Sequence, residues 1–146
     1  MTQRIDTAAV APRGEAAMEA LEAYVEGCGL DHALLELVKM RVSQINGCAY
    51  CLAMHGRLAR RHGVPEAKLD TLAAWRESPA FDEREKAALA WSEAVTDIAM
   101  GVPDEVYTLV RRAFAEKEIV DLTWAVIAIN GWNRTMVAFR VPPEVG

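Results

Sequence analysis

The sequence lacks several patterns that would place it in whole classes of protein. It has no long basic run, and its formal net charge is −5, so a nucleic-acid-binding surface is not expected. Its longest apolar tract, residues 119–137, is interrupted by Asp121, Asn130, Asn133 and Arg134, which argues against a membrane span. The N-terminal segment carries charges throughout and lacks the unbroken apolar core of a signal peptide. We therefore expect a cytoplasmic protein.

Cysteine is also scarce, with only three residues in the chain. In a reducing compartment three cysteines do not make a structural disulfide framework. Two of them, Cys48 and Cys51, form a C-x-x-C pair. This spacing in a cytoplasmic protein indicates redox or metal chemistry. Cys28 lies between two glycines and is expected to be a bystander.

No strand pattern, long linker or internal repeat occurs, and the fold class that follows is all-α. A chain of 146 residues has the size of one domain and can bury a core of its own. We expect a single helical domain over residues 1–146, with residues 1–12 as a loosely held arm. Hydrophobic residues make up 52% of the sequence, a slight excess that favours an oligomer.

Helical spacing of apolar residues and the capping residues predict seven helices. An N-cap at Asp31 begins the second helix, and another at Asp82 begins the fifth. Pro65 is expected as the first residue of the fourth helix. The predicted helices cover residues 14–27, 32–45, 47–61, 65–75, 83–98, 103–114 and 116–139.

The third predicted helix carries the chemistry. Asn46-Gly47 is expected to start it, just before Cys48. At 100° per residue, Cys48, Cys51 and His55 share one face, which is also the apolar face of the helix. The two thiols and the imidazole should therefore point inward, toward a pocket or a subunit contact. Such a position suits chemistry that needs restricted access to water.

Two physical arguments compete over which sulfur reacts first. Cys48 lies at the predicted helix N-terminus, where the helix dipole stabilises a thiolate. Cys51 lies one turn before His55, which is placed to accept its proton. The residues alone leave both assignments open.

The spacing E-x11-C-x2-C-x3-H, formed by Glu36, Cys48, Cys51 and His55, resembles the active-site motif of the alkylhydroperoxidase D and carboxymuconolactone decarboxylase family. The likeness extends over residues 30–140. It includes the segments RVSQINGCAYCLAMH, FDEREKAALAW and EIVDLTWAVIAINGWNR. Because of its C-x-x-C pair, the sequence resembles the peroxidase-type branch of the family, since the decarboxylase branch generally lacks this pair.

The resemblance implies a thiol-dependent hydroperoxide reductase with a compact helical fold. Cys51 would be the sulfur oxidised by the hydroperoxide, and Cys48 would then form the redox disulfide with it. Glu36 and His55 would shuttle protons, and a thiol or dithiol would supply electrons. No metal or organic cofactor is implied. Members of the family assemble into trimers or hexamers, so a homotrimer or homohexamer is expected.

Three other interpretations stay open. A carboxymuconolactone decarboxylase-like enzyme would act on an organic acid with Glu36 and His55 as acid and base, and would be indifferent to Cys48. A non-catalytic redox sensor would use the disulfide to change an interface. A metal site would need Glu36 as a fourth ligand beside the two cysteines and His55.

Several further residues are candidates for a pocket or an interface. Tyr50 occupies the position where dedicated peroxidases of the family have a histidine, so the resemblance does not extend to a relay through that residue. Asn130, Trp132 and Asn133 lie on the last helix, and a buried amide there should have a hydrogen-bond partner. Helical phase assigns Glu36 to a solvated face with Lys39 and Ser43, and only the resemblance gives Glu36 a role.

Overall fold

The structure, a computed structural model, describes residues 1–144, and the last two residues of the predicted domain lie outside that range. Among the described residues all regular structure is helical, which confirms the all-α prediction. Two short 3-10 helices, Leu72–Glu77 and Ile98–Met100, lie between the α-helices. The α-helices are α1 Thr7–Val10, α2 Pro12–Gly27, α3 His32–Asn46, α4 Ala49–Arg61, α5 Glu66–Thr71, α6 Glu83–Thr96, α7 Asp104–Ala113 and α8 Glu116–Phe139.

Helix α3 is the centre of the molecule. It packs against α4, α6 and α8, and every residue from Leu34 to Met40 is buried. One apolar cluster joins Val38 and Val42 of α3 to Leu122 and Val126 of α8. A second cluster lies around Leu37 of α3 and includes residues of α6 and the first 3-10 helix. A helix enclosed in this way holds its polar side chains in the interior as well, and this positions the site.

Most predicted boundaries agree with the structure within a few residues. Helix α8 has the predicted bounds, and Asp82 caps α6 through a capping box with Glu85. Pro65, however, is the N-cap of α5 and not its first residue. The predicted fourth helix is two elements in the structure, because α5 ends at Thr71 and the chain continues as a 3-10 helix from Leu72. Ala74, inside that 3-10 helix, has non-helical torsions.

The junction of α3 and α4 differs from the prediction. Asn46 ends α3, and Gly47 is its C-cap in the left-handed conformation (φ 67°, ψ 36°), which glycine adopts without steric cost. Cys48 is the N-cap of α4, with extended torsions. Asn-Gly therefore ends one helix instead of starting the next. Ile45, predicted to face the core, is exposed beside this junction.

The N-terminal arm lies against the end of α8. It contains α1, which Asp6 caps by accepting a hydrogen bond from the Ala9 N–H. The Arg4 N–H donates to the Phe139 carbonyl at 2.8 Å, and the Arg4 guanidinium donates to the Ala138 carbonyl at 3.1 Å. No helix in residues 1–144 combines the length and apolar character needed to cross a membrane.

Candidate active site

The two cysteines of the C-x-x-C pair lie at the start of α4 with their sulfur atoms at disulfide distance and their Cα atoms 5.3 Å apart. Both side chains are buried. The Cys48 sulfur accepts a hydrogen bond of 3.2 Å from the Cys51 N–H, so Cys48 caps α4 with its side chain. The separation of three residues thus allows the two sulfur atoms to form a disulfide within one helical turn.

A buried carboxylate of α3 pairs with a buried imidazole of α4, the helix that begins at the two cysteines. Glu36 of α3 and His55 of α4 are 5% and 4% exposed, and His55 Nδ1 lies 2.7 Å from Glu36 Oε2. An ionised carboxylate only accepts hydrogen bonds, so Nδ1 is the donor and Nε2 is the ring nitrogen left for other partners. The assignment of Glu36 to a solvated face is wrong, because α4 covers that side of α3.

Lys39 is a second residue of the site that helical phase misplaced. It was assigned to the same solvated face, yet it is 2% exposed. Its Nζ forms an ion pair with Glu22 of α2 and lies 3.9 Å from Glu36 Oε1. The Glu36 carboxylate therefore lies between an ammonium group and the His55 imidazole. A signal for this was present in the sequence, since Glu36 and Lys39 are three residues apart on one helix.

A cavity of about 410 Å³ opens onto these groups. Cys51, His55 and Lys39 contribute to its wall, and Tyr50 and Trp132 line it as well. Cys48 lies behind Cys51 as the cap of α4. The apolar part of the wall comes from Ala23, Met54, Leu58 and Met136, and four glutamates of α2 complete the lining: Glu15, Glu19, Glu22 and Glu26.

Asn130 and Asn133 serve a different part of the molecule. The Asn46 amide donates to the side-chain oxygens of Asn130 at 2.9 Å and Asn133 at 3.0 Å. Asn133 in turn donates to the Ser43 hydroxyl at 3.0 Å, and Asn130 donates to Thr96 at 3.0 Å. These bonds connect the end of α3 to α8 and α6 within one chain, away from the cavity wall.

The structure also places Cys28 and the two other histidines. Cys28 is partly buried and free of disulfide bonding. His62 stacks edge-on with His32 at a centroid distance of 5.0 Å, away from the cysteines. Within residues 1–144, His, Cys, Asp and Glu side chains do not gather in groups of three or more that could hold a metal ion.

Comparison with known proteins identifies the family. A model of the carboxymuconolactone decarboxylase family matches residues 8–94, more than half of the chain. The chain belongs to this family. Among curated relatives, the uncharacterised protein YdfG of Bacillus subtilis (strain 168) is 41% identical over 139 residues, covering 94% of this chain and 95% of its own.

Solved structures agree with the family assignment. A protein of unknown function from Agrobacterium tumefaciens, linked by name to the antioxidant defence protein AhpD, superimposes with a TM-score of 0.97 at 43% identity. The match covers 99% of this chain and all of that chain. The debrominase Bmp8 has the same fold, with a TM-score of 0.86 at 21% identity over 95% of this chain and 75% of its own. The alkylhydroperoxidase D-like fold predicted from the motif is thereby confirmed.

Proposed function

We propose that this protein is a thiol-dependent hydroperoxide reductase. The observation that supports this most directly is the arrangement of Cys51 and His55 on one cavity wall, with Cys48 at disulfide distance behind Cys51. A sulfur that faces a cavity can meet a small substrate, and a second sulfur next to it can resolve the oxidised product. The substrate class is an organic hydroperoxide or hydrogen peroxide.

The proposed cycle has three balanced steps. The Cys51 thiolate attacks the distal peroxide oxygen, the O–O bond breaks, and the alkoxide leaves as an alcohol after taking a proton from His55. The Cys48 thiol then attacks the Cys51 sulfenic acid, and water leaves as the disulfide forms. Two thiols, or one dithiol, return both cysteines to the reduced state by exchange and become a disulfide themselves.

Glu36 and Lys39 would hold His55 in the orientation and tautomer that proton transfer needs. The bond from Nδ1 to Glu36 holds the ring in one tautomer, so that Nε2 is the atom that takes the Cys51 proton and returns it to the leaving group. A buried carboxylate keeps its charge more easily when a cation is close. Lys39, 3.9 Å from Glu36 Oε1, supplies that cation.

The choice of Cys51 as the attacking sulfur follows from access. Cys51 lines the cavity, whereas the Cys48 sulfur accepts the Cys51 N–H at the end of α4. This position suits Cys48 as the sulfur that resolves the sulfenic acid. It also favours Cys48 as the leaving thiolate during reduction, because the helix N-terminus stabilises negative charge.

Two other functions use the same groups. A decarboxylase-type enzyme would employ Glu36 and His55 on an organic acid, and the family name is consistent with it. It would not need both cysteines, however, and the sulfur pair at disulfide distance would have no part in it. A redox sensor would keep the disulfide but would not turn over with a thiol donor.

The test is a stoichiometric oxidation followed by turnover. The reduced protein, given a slight excess of cumene hydroperoxide, should lose two free thiols and form a Cys48–Cys51 disulfide that peptide mapping identifies. Peroxide consumption should then continue when a dithiol is supplied, which separates the enzyme from a sensor. Mapping that finds both cysteines still reduced while Cys28 is oxidised would end the redox proposal.

A further inference from the structure

The mouth of the active-site cavity carries an unusual excess of negative charge. Glu15, Glu19, Glu22 and Glu26 all line it, and their spacing of four, three and four residues places them on one face of α2. They extend over about 16 Å of helix. A whole carboxylate-bearing face of α2 therefore forms one side of the entrance to Cys51.

These charges are only partly compensated within the cavity. Glu22 is paired with Lys39, and Lys39 also faces Glu36. Glu15 accepts a hydrogen bond from the uncharged Thr7 hydroxyl at 2.9 Å, which leaves its charge in place. Glu19 and Glu26 have exposed side chains. Four carboxylates thus share the lining with a single lysine, and the path to the sulfur is negative.

We propose that this acidic mouth selects substrates and thiol donors by charge, admitting uncharged and cationic molecules to Cys51 and disfavouring anionic ones. The inference rests on the proposed function, since it assumes that peroxide and thiol both reach Cys51 through this cavity. The inner wall of Leu58, Met54 and Trp132 favours an apolar body on the same molecules. The fitting substrate class is an uncharged organic hydroperoxide, and the fitting donor is an uncharged or cationic thiol.

The physical basis is the free energy of bringing a charge toward fixed charges of the same sign. Clefts lined by one sign of charge change the local concentration and the association rate of charged molecules by about tenfold to a thousandfold. Part of that effect is lost here because Glu19 and Glu26 are solvated, and salt screens charges beyond about 10 Å at 0.1 M ionic strength. At low salt we therefore expect a cationic thiol to reduce the disulfide about tenfold faster than an anionic thiol of equal size.

The experiment measures reduction of the Cys48–Cys51 disulfide by three small thiols of similar size. Cysteamine is cationic, 2-mercaptoethanol is uncharged, and 2-mercaptoethanesulfonate is anionic. In each case a thiolate attacks the Cys51 sulfur, the Cys48 thiolate leaves, and a second thiol resolves the mixed disulfide. Each rate is divided by the rate of the same thiolate with the uncharged disulfide of 2-mercaptoethanol, so that intrinsic nucleophilicity cancels.

The normalised rates should fall from cysteamine to the sulfonate. The spread should shrink several-fold in the double variant Glu19→Gln with Glu26→Gln and also in high salt. The matched control is Glu77→Gln with Glu105→Gln, two exposed glutamates outside the cavity lining, which changes the net charge equally and should preserve the spread. Equal normalised rates in the natural protein, or an unchanged spread in the cavity variant, would overturn the charge selection.

A peroxide comparison separates this inference from the proposed function. Cumene hydroperoxide should oxidise the reduced protein faster than its ring-carboxylated analogue, again by a factor that falls in the Glu19 and Glu26 variant. If both peroxides react at the same rate, the charge selection is wrong and the reductase proposal stands. If neither peroxide oxidises the cysteines, the reductase proposal itself fails.

Discussion

At the scale of single residues, the two sulfur atoms have different environments although they are three positions apart. Cys51 lies on the cavity wall with His55 one turn further along α4. His55 is two turns, about 10 Å of rise, beyond Cys48. Burial is equal for both, so access and the nearby base distinguish them. The two orders of reaction that the sequence left open therefore lead to different variant behaviour.

The first prediction tests the order of the two thiols. Cys51→Ser should abolish the reaction with hydroperoxide, because the cavity wall then presents no thiol. Cys48→Ser should react once and stop as a Cys51 sulfenic acid that dimedone traps and mass spectrometry detects. A dimedone adduct on Cys48 in the Cys51→Ser protein would reverse the assignment and leave the redox function intact.

The second prediction concerns the proton relay. His55→Ala should slow Cys51 oxidation by about 10²- to 10⁴-fold, the usual range for loss of a general base, and Glu36→Gln should slow it less. Rapid-mixing measurements of thiol loss report both rates. His62→Ala is the control, since His62 contacts His32 and not the cavity. An equal loss in the His62 variant would show that folding, and not proton transfer, is measured.

A third prediction concerns Lys39. Replacing it with methionine leaves Glu22 and Glu36 without their shared cation, and a cation near a thiol favours the thiolate. The rate of Cys51 alkylation by iodoacetamide should therefore reach its midpoint at higher pH. Lys39→Arg should retain the natural profile because it keeps the charge.

Loss of packing is separated from loss of charge by a second variant. Lys39→Met combined with Glu22→Gln removes one cation and one carboxylate from the cavity lining, so the pH midpoint should return part of the way toward the natural value if charge, and not packing, sets it. A Lys39→Met protein with an unchanged pH profile would rule out an electrostatic role for this lysine.

At the scale of elements, Glu93 connects three parts of the fold. Its carboxylate on α6 accepts hydrogen bonds from Arg41 of α3 and from Trp75 and Arg76 of the first 3-10 helix, each at 2.8 Å. Burial raises the pKa of Glu93, but the bonds from Trp75, Arg41 and Arg76 outweigh burial and hold the pKa below its ordinary value. Arg41 thereby has the partner that its place on the buried helix requires.

The fourth prediction follows from the direction of that shift. A carboxylate with a lowered folded pKa stabilises the fold above its unfolded pKa, and the stabilisation is lost as pH falls through the folded pKa. Glu93→Gln should lower the free energy of unfolding by about 1 to 3 kcal/mol near neutral pH, with a smaller difference in acid. Urea unfolding at several pH values measures this. The control is Glu77→Gln. Glu77 is exposed and lies on the 3-10 helix that carries Trp75 and Arg76, so its replacement should show no such trend.

The elements also show what one sequence can predict. Helix α8 was predicted with its full bounds because its apolar pattern is long and Pro142-Pro143 follows it. The start of α4 was missed by two residues, because Asn-Gly suits a left-handed C-cap as well as an N-terminus. Cys48, not Gly47, caps α4, and cysteine is not a usual capping residue.

Helix geometry predicted the buried face of Cys48, Cys51 and His55, and only the motif added Glu36 to the candidate site. Periodicity describes one helix at a time, and it assigned Glu36 and Lys39 to solvent because their side of α3 is polar. That side is buried because α4 and α2 cover it, which only the tertiary structure decides. The family motif reflects tertiary contacts indirectly, so the resemblance located Glu36 correctly beside His55. Neither helical periodicity nor the motif found Lys39.

At the scale of the whole molecule, one face of α8 has no partner among residues 1–144. Val120, Trp124 and Ile127 are exposed at spacings of four and three residues, so their side chains form a stripe on one side of the helix. Contiguous exposed apolar surface of this kind marks interaction sites. We propose that a second copy of the chain covers it, in the trimer or hexamer expected from the sequence.

The fifth prediction is that light scattering at micromolar concentration gives the mass of a trimer or hexamer. Trp124→Glu should shift the mass toward the monomer, because a buried unpaired carboxylate is costly. The exposed Leu109 of α7 serves as a control, since Leu109→Glu changes charge and apolarity equally at another surface. A monomer in the unchanged protein would contradict the proposed assembly.

The junction between α3 and α4 also affects the rate at which Asn46 deamidates. In an Asn-Gly pair the glycine nitrogen readily attacks the preceding side-chain amide, which turns the asparagine into an acid over time. Here the Asn46 amide nitrogen is held by Asn130 and Asn133, and the Gly47 N–H is donated back to carbonyls of α3. Neither reacting group is free to move toward the other. The helix packing that positions Cys48 thus also protects the neighbouring bond from slow chemical damage.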